Sequence, residues 1–209
     1  WYDQMIHSSR LHKALMNSVK VGLVASIFST FIALLAAKAF TRYNVRLRQL
    51  SYGAILLPFV IPEIIIAVAL IVLWTGMGLQ LGLVPVTISH ILFCTPFCLL
   101  ILISRMEGFD RHLEEAAMDL GENAWGTFWR VTFPLVLPAV IASLLLSFVI
   151  SFDEFILAFF LSSSDQTLPL YMWGQMRFPK KLPHVLALGA VIILATSLIV
   201  IISYWLRNI

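Results

Sequence analysis

Residues 190–203, AVIILATSLIVIIS, contain no charged side chain and would be apolar on every face of a helix. A second stretch of the same kind, SLLLSFVIS, occupies residues 143–151. A membrane β-strand alternates apolar and polar residues over about ten positions, and neither stretch shows that alternation. Such runs are typical of α-helices that cross a bilayer, which need about 20 apolar residues. The sequence therefore predicts an all-α membrane protein.

The whole chain has the composition of an integral membrane protein. Of its 209 residues, 60% are hydrophobic and 12% are charged, with a mean hydropathy of +0.94, whereas a soluble domain carries about 25% charged residues. Five transmembrane helices are predicted within a single transmembrane domain, 1–209, at about 18–40, 53–75, 85–105, 135–161 and 184–206. Because the chain begins at Trp1 rather than Met, we expect an upstream portion that holds a sixth span.

Basic residues predict which loops face the cytoplasm, because Lys and Arg are retained on that side of short loops. The loop after the first span carries Arg42, Arg46 and Arg48, and the turn 76–84 is uncharged. We therefore expect the first loop and the charged segment 106–134 inside, and the turn 76–84 outside. Five basic residues on the outer side run against this assignment: Arg10, Lys13, Arg177, Lys180 and Lys181. The net charge of +3 follows from basic loops and does not indicate nucleic-acid binding.

Little in the chain suggests catalysis or metal binding. Cys94 and Cys98 share one helix face, as two small buried side chains would, and two cysteines define neither a disulfide framework nor a metal site. Of five scattered histidines, His90 lies clearly within a span, where we expect a hydrogen-bonding residue that faces the bundle. The sequence contains no GxxxxGK(S/T) motif and therefore lacks the usual P-loop for ATP phosphates.

The segment 114–138, EEAAMDLGENAWGTFWRVTFPLVLP, is unusually polar for this chain. Residues 112–120 favour a short helix, Gly121 can end it, and Asn123 can cap a second helix before Pro134. Six acids lie within residues 107–122, namely Glu107, Asp110, Glu114, Glu115, Asp119 and Glu122. A helix that only lies on the membrane would have a basic polar face. Docking to another protein is the better interpretation.

Part of this segment resembles the EAA loop of ABC-importer permeases. The resemblance rests on Glu115-Ala116-Ala117, Gly121 and the run Val131-x-Phe133-Pro134, with Val and Phe where the family usually has Ile and Leu. In that family the loop forms coupling helices in a cleft of the ATPase subunit. The resemblance implies the type I ABC-importer permease fold, with a 107–134 coupling loop. It also implies that five residues couple to an ATPase dimer holding ATP and Mg: Glu115, Ala116, Ala117, Asp119 and Gly121.

From about Ser18 onward, the chain resembles the second permease of spermidine/putrescine importers. The resemblance is carried by LLPFVIPEIIIA (56–67), QLGLVPVTISHILFCTPF (80–97), SRMEGFDRHLEEAAMDLG (104–121) and LSFVISFDEF (146–155). It implies a non-catalytic, multi-pass permease subunit of the bacterial inner membrane that binds no cofactor itself. Its implied partners are a homologous permease, the ATPase dimer, an extracytoplasmic binding protein and a small organic cation.

Three acids within the predicted spans are candidates for the substrate path, because an ionised carboxylate in a membrane is costly unless paired or wet. They are Glu63, Asp153 and Glu154, and apart from Lys20 and Lys38 near the ends of the first span no basic residue offers an obvious partner. Asp153 and Glu154 lie about 100° apart on a helix, so we expect one of them, Asp153, to face the path. A structural hydrogen bond remains an equal alternative for each acid.

Aromatic residues beside these acids extend the candidate path. Phe152 and Phe155 can contribute cation–π or methylene contacts to an organic cation. Tyr171, Trp173 and Gln175 are candidates for an external gate, and an interfacial aromatic belt explains the two aromatics equally well.

Three other functions remain open. A related importer for ferric iron, an opine or an aminophosphonate would share the EAA loop. A secondary transporter or channel would show paired broken helices in two halves, and no such pairing is visible in the sequence. A membrane scaffold would leave Glu63, Asp153 and Glu154 without a role.

Overall fold

The computed structural model describes residues 8–43 and 47–207, so Trp1 and Arg46 lie outside the described part. Within it the chain is helical, without a β-strand, as the composition predicts. The helices are α1 (Ser9–Arg42), α2 (Arg48–Val60), α3 (Glu63–Gly76), α4 (Leu83–Glu107), α5 (His112–Asp119), α6 (Ala124–Thr127), α7 (Phe133–Asp153), α8 (Ile156–Leu161), α9 (Leu168–Met176) and α10 (Leu182–Arg207). A π-helical turn (Phe128–Thr132) joins α6 to α7, and a 3₁₀ turn (Pro179–Lys181) precedes α10.

Among the described residues, four helical segments are long and apolar enough to cross a bilayer. They are Ser9–Arg42, Leu83–Glu107, Ala124–Asp153 and Pro179–Trp205. A bent helix pair, α2 with α3, supplies a fifth candidate if the pair counts as one span. These segments overlap the five spans predicted from the sequence.

The second predicted span, 53–75, differs from a regular transmembrane helix. It consists of α2 and α3, which meet at an angle of 104°. Pro62 has no N–H group with which to continue the helix, and the residue before a proline is pushed out of the helical region. Ile61 accordingly is extended, with ψ of 134°. The bend places Glu63 at the first position of α3.

The fourth predicted span, 135–161, is interrupted near its outer end. Helix α7 stops at Asp153, Glu154 is extended with ψ of 129°, and α8 begins at Ile156. The predicted second helix of the polar segment also does not end before Pro134. It runs through the π-helical turn into α7. A proline ring clashes with the carbonyl four residues earlier in a regular α-helix, and a widened turn relieves that clash.

The core of the bundle is formed by α1, α4 and α7, which pack against one another. The buried stripe of α1 is rich in small residues, so neighbouring backbones approach closely. At Gly22 an added Cβ would lie 3.0 Å from the Phe148 ring. Cys94 and Cys98 are buried and unbridged, and their thiols point at backbone carbonyls of α7. Their predicted role as packed small side chains is confirmed.

Contacts at the two ends of the bundle agree with the predicted alternation of loops. At one end, Lys13 lies 2.7 Å from Asp165, and the Gly82 N–H donates to the Leu161 carbonyl at 2.9 Å. At the other end, Arg42 donates to the Met106 carbonyl at 3.1 Å. The start of α1 and the loops after α3 and α8 therefore share one side, and the segment 106–134 lies on the opposite side.

Candidate functional site

The polar segment forms a hairpin at the end of the bundle predicted to be cytoplasmic; residues 107–134 are called the charged hairpin below. Helix α5 is followed by Gly121, whose φ of +96° lies in the left-handed region that favours glycine. The Asn123 side chain accepts from the Gly126 N–H at 2.8 Å and caps α6. Both turn signals of the sequence are therefore in their predicted places.

A buried ion pair attaches the charged hairpin to the bundle. Glu114 is 8% exposed, and its Oε2 lies 2.7 Å from Nε of Arg42 at the end of α1. The Thr132 hydroxyl donates to the other oxygen of the Glu114 carboxylate. The Arg42 guanidinium also lies 4.5 Å from the ring of Phe109. Each charge of the pair is thereby compensated, as a buried ion pair requires.

Sequence reasoning did not single out this attachment. It counted Glu114 as one acid among six and used Arg42 only as a marker of the cytoplasmic side. The available signal was an arginine at the end of one apolar run and an acid in the only strongly acidic segment.

The five residues predicted to couple to an ATPase lie on or just after α5, and most of them are exposed at the protein surface. Ala116, Asp119 and Gly121 are exposed, and Ala117 is half-buried. The Glu115 carboxylate is half-exposed and lies 3.3 Å from Nε of Arg111, one turn earlier. Small and acidic side chains are therefore available for contact with another molecule.

Large apolar side chains surround these residues on the hairpin surface. Leu120 is 88% exposed and Trp125 is 69% exposed. Leu113, Met118 and Trp129 are also exposed. Apolar groups clustered on the surface of a polar segment mark an interaction site. The hairpin therefore has the composition of a protein-docking surface.

Asp110 stabilises the start of the hairpin. Its Oδ1 accepts a hydrogen bond from the His112 backbone N–H at 3.0 Å and lies 2.7 Å from Nδ1 of the same residue. These contacts hold the pKa of the exposed Asp110 carboxyl below its ordinary value. The charged form of Asp110 therefore favours the folded first turn of α5.

The intramembrane acids occupy a second site, at the break between α7 and α8. Glu154 is buried, and its carboxylate accepts from the N–H groups of Leu157 at 2.7 Å and Ala158 at 3.1 Å. His90 of α4 is 1% exposed, and its Nε2 lies 2.9 Å from Oε2 of Glu154. The expectation that Glu154 lacks a partner within the chain is therefore wrong. The partner is a histidine, which is overlooked when only Lys and Arg are considered as basic partners.

His90 has a second contact on the other side of its ring. Its Nδ1 lies 2.7 Å from the Ser151 hydroxyl, one turn before Glu154. The histidine thus joins α4 to the last turn of α7 and to the residue at the break. This confirms the prediction that His90 faces the bundle as a hydrogen-bonding residue.

Asp153 and Glu63 differ from Glu154 in their surroundings. Asp153 is exposed and has no hydrogen bond or ion pair to another residue of the described ranges 8–43 and 47–207. Glu63 is half-buried at the start of α3, a helix that packs against α8 through Ile66, Ala67 and Leu157. The bend thus places Glu63 on a helix that packs beside the break, whereas Asp153 at the break is exposed.

The two phenylalanines next to these acids, Phe152 and Phe155, also lie in different surroundings. Phe152 is buried in a cluster with Leu11 and Leu168, which disagrees with the expectation that it lines a path. Phe155 is half-buried, and its ring lies 5.8 Å from that of Trp173 in α9. Trp173 in turn lies under the guanidinium of Arg177 at 4.3 Å. An aromatic group therefore flanks the acid site on the side of α9.

No group of three or more His, Cys, Asp or Glu side chains suited to a metal ion occurs in the described part of the chain. The chemistry of the acid site is that of carboxylates and aromatic rings, which attract organic cations. The two sites lie at different levels of the bundle, one at its polar end and one within the spans.

The fold of this chain is also found in two solved transport proteins. The chain superposes with a TM-score of 0.77 on a chain of the bacterial alginate ABC transporter in complex with an alginate pentasaccharide-bound periplasmic protein. The match covers 97% of this chain and 80% of that chain, at 16% sequence identity. A second structure, of a bacterial ABC transporter involved in alginate import, gives a TM-score of 0.79 over 99% of this chain and 82% of that one, at 14% identity. The described helices therefore have the type I fold of ABC-importer permeases.

The family follows from the sequence match over residues 29–209. The chain belongs to the family of binding-protein-dependent transport system inner membrane components. It is 34% identical over 204 residues to the spermidine/putrescine transport system permease protein PotC of Escherichia coli K12, covering 97% of this chain and 76% of that protein. The PotC protein of Haemophilus influenzae is 32% identical over 97% of this chain and 79% of its own length. The putrescine permease PotI of E. coli K12 is 27% identical, with 99% and 76% covered.

Proposed function

We propose that this chain is one of two permease subunits of an ATP-driven importer that takes up the polyamines spermidine and putrescine. The observation that carries the cargo class is the exposed Asp153 carboxylate at the end of α7, together with the half-buried Glu63 at the start of α3. An ionised carboxylate within a membrane is costly in free energy unless it is paired or hydrated, so one without a partner in its own chain is expected to bind a ligand or a partner. Relatives with 34% and 27% identity are named for spermidine/putrescine and putrescine transport.

The partners follow from the same proposal. A second permease covers the open face of the acid site, and an extracytoplasmic binding protein delivers the polyamine to the outer end. An ATPase dimer holds ATP and Mg and docks on the charged hairpin, so this chain translocates without catalysing hydrolysis. The residues that couple this chain to the ATPase are Glu115, Ala116, Ala117, Asp119 and Gly121. The exposed Leu120 and Trp125 lie beside them.

The transport cycle then uses both sites. ATP binding closes the ATPase dimer and draws the charged hairpins together, which opens the path towards the loaded binding protein. The ammonium groups of the cargo pass Asp153 and Glu63, and methylene segments contact Phe155. ATP hydrolysis separates the hairpins and returns the path to its inward-facing form. Glu154 and Phe152 support this path from within the fold.

The experiment is uptake of labelled spermidine and putrescine by cells that express this subunit with its companion permease, ATPase and binding protein. Saturable uptake that requires every component, and that unlabelled polyamine but not ferric iron or an aminophosphonate suppresses, supports the proposal. An assembled, ATP-hydrolysing complex that takes up no polyamine contradicts the cargo assignment and directs the search to the other solutes.

A further inference from the structure

The break between α7 and α8 is held by side-chain contacts on both of its sides. Ser151 lies one turn before the break and Glu154 lies within it, and both contact the same imidazole ring of His90, at 2.7 Å and 2.9 Å. The ring is fully buried, so water does not compete for either contact. His90 therefore connects two points of the chain that enclose Asp153.

The position of Asp153 depends on the geometry of this break. Glu154 has extended backbone angles, and two N–H groups of the following helix donate to its carboxylate. Asp153 has no contact of its own with a described residue that would orient its carboxylate. Its direction is therefore set by the backbone on either side, which is the part that His90 holds.

The helix that carries Glu63 packs beside the same break. Helix α3 packs against α8 through Ile66, Ala67 and Leu157, and Leu157 is the residue whose N–H donates to Glu154. A change in the backbone at Glu154 is therefore transmitted through Leu157 to the helix that carries Glu63. His90 thus contacts Glu154 directly and adjoins the segments that carry Asp153 and Glu63.

We propose that His90 is a positioning residue that, through its contacts with Ser151 and Glu154, aims Asp153 into the path. This inference rests on the proposed function for its consequence in transport, but its geometric part can be tested without any knowledge of the cargo. The imidazole acts through Asp153 and does not itself contact the transported solute.

Cysteine labelling tests the geometry in the assembled complex in membrane vesicles. The parent for this test carries Asp153→Cys together with Cys94→Ala and Cys98→Ala, and its single thiol is treated with a water-soluble trimethylammonium methanethiosulfonate reagent. His90→Asn keeps a polar group near Nδ1 and loses the Glu154 contact. His90→Gln keeps an N–H donor near Nε2 and loses the Ser151 contact, as Ser151→Ala also does. We expect labelling to slow about tenfold in His90→Asn, the effect of losing a hydrogen bond to a charged group, and by one common, smaller factor in Ser151→Ala and His90→Gln, which lose the same contact between neutral groups.

Labelling at the same rate in His90→Asn, Ser151→Ala and the parent would overturn the proposal. Clearly different rates in Ser151→Ala and His90→Gln would overturn it as well, because both variants lose the Ser151 contact and keep the Glu154 contact. Each of the three substitutions introduces an uncharged side chain no larger than the one it replaces. Assembly of each complex is checked by co-purification with the ATPase before labelling.

A double-mutant cycle tests the functional part with labelled spermidine. His90→Asn is expected to lower uptake about tenfold when Asp153 is present and less than about twofold in an Asp153→Asn background, because its effect passes through Asp153. Equal losses in both backgrounds would assign His90 to packing alone and contradict the proposal. If the parent complex takes up no polyamine, the proposed function fails, and the labelling rates still decide the role of His90.

Discussion

The charged hairpin and the break after α7 each contain two neighbouring acids, of which one is buried and the other is not. In the hairpin, Glu114 is buried against Arg42 while Glu115 points outward; at the break, Glu154 is buried against His90 while Asp153 is open. Successive helical residues differ by about 100° in direction, so one acid faces the bundle and its neighbour does not. The buried acid attaches the segment, and the exposed acid is left for another molecule.

The difference between the two regions lies in the basic partner. Arginine keeps its charge, presents several donors and suits a partly hydrated end of the bundle. Histidine is compact enough to contact two groups at once within the spans. The hairpin is thus attached by a full ion pair, and the break by an imidazole that also reaches Ser151.

The largest effect is expected from breaking the attachment of the hairpin. Arg42→Met leaves the Glu114 carboxylate buried without its charge partner, which costs about 3–5 kcal/mol. Thermal unfolding of the purified complex measures this loss. The double variant Arg42→Met with Glu114→Leu is the control, since replacing both partners of a buried pair by apolar groups is close to neutral. A stable single variant would show that the pair does not attach the hairpin.

The next effect concerns the exposed acid of the hairpin. Glu115→Lys places a cation on the proposed ATPase-docking surface, and a reversed charge at an interface costs about 2–5 kcal/mol. We expect loss of co-purifying ATPase together with loss of uptake. Glu107→Lys is the matched control, because Glu107 is also exposed in the charged hairpin but lies outside the coupling residues. Transport that survives Glu115→Lys would remove the coupling role.

The exposed acid at the break should affect transport more than stability. Asp153→Asn removes a carboxylate from the proposed path and should lower polyamine uptake about tenfold while the complex assembles normally. Asp165→Asn is the control, since Asp165 is a half-exposed acid at the outer end that pairs with Lys13. Uptake by cells, normalised to assembled complex, measures both. Equal uptake in the two variants would assign Asp153 to structure.

The smallest effect is the pH dependence of the first turn of the hairpin. The Asp110 carboxyl has a lowered pKa in the folded protein because it accepts a hydrogen bond from the His112 N–H. Its stabilisation is therefore present above the ordinary pKa of 3.8 and is lost as the pH falls through the lower folded value. Asp110→Asn should flatten this dependence, as measured by protease cleavage within the hairpin between neutral and acid pH. An unchanged acid profile would contradict it.

Much of the fold was accessible from local patterns in the sequence. Apolar runs of spanning length predicted the membrane helices, and Gly121 and Asn123 marked the turn of the hairpin because each has a direct backbone requirement. The 100° offset predicted that only one of Asp153 and Glu154 faces the path, and in the structure Asp153 is exposed and Glu154 is buried. Local rules suffice where a residue acts on its own helix.

The partners of the buried acids were not accessible in the same way. Arg42 is 72 residues from Glu114, and His90 is 64 residues from Glu154 in the sequence. Pro62 marked the bend at α3, but a proline within an apolar run equally allows a kinked, continuous span. The break at Glu154 has no proline or glycine, since a carboxylate that accepts two N–H bonds from α8 takes their place.

The sequence by itself determined the all-α membrane architecture, the acidic hairpin and the presence of three acids within the spans, because hydropathy and backbone preference are properties of short segments. Only the tertiary structure decided which acids are buried, which are open and which basic groups they meet. The cost of burying a carboxylate depends on atoms supplied by other helices, and that information lies in their packing.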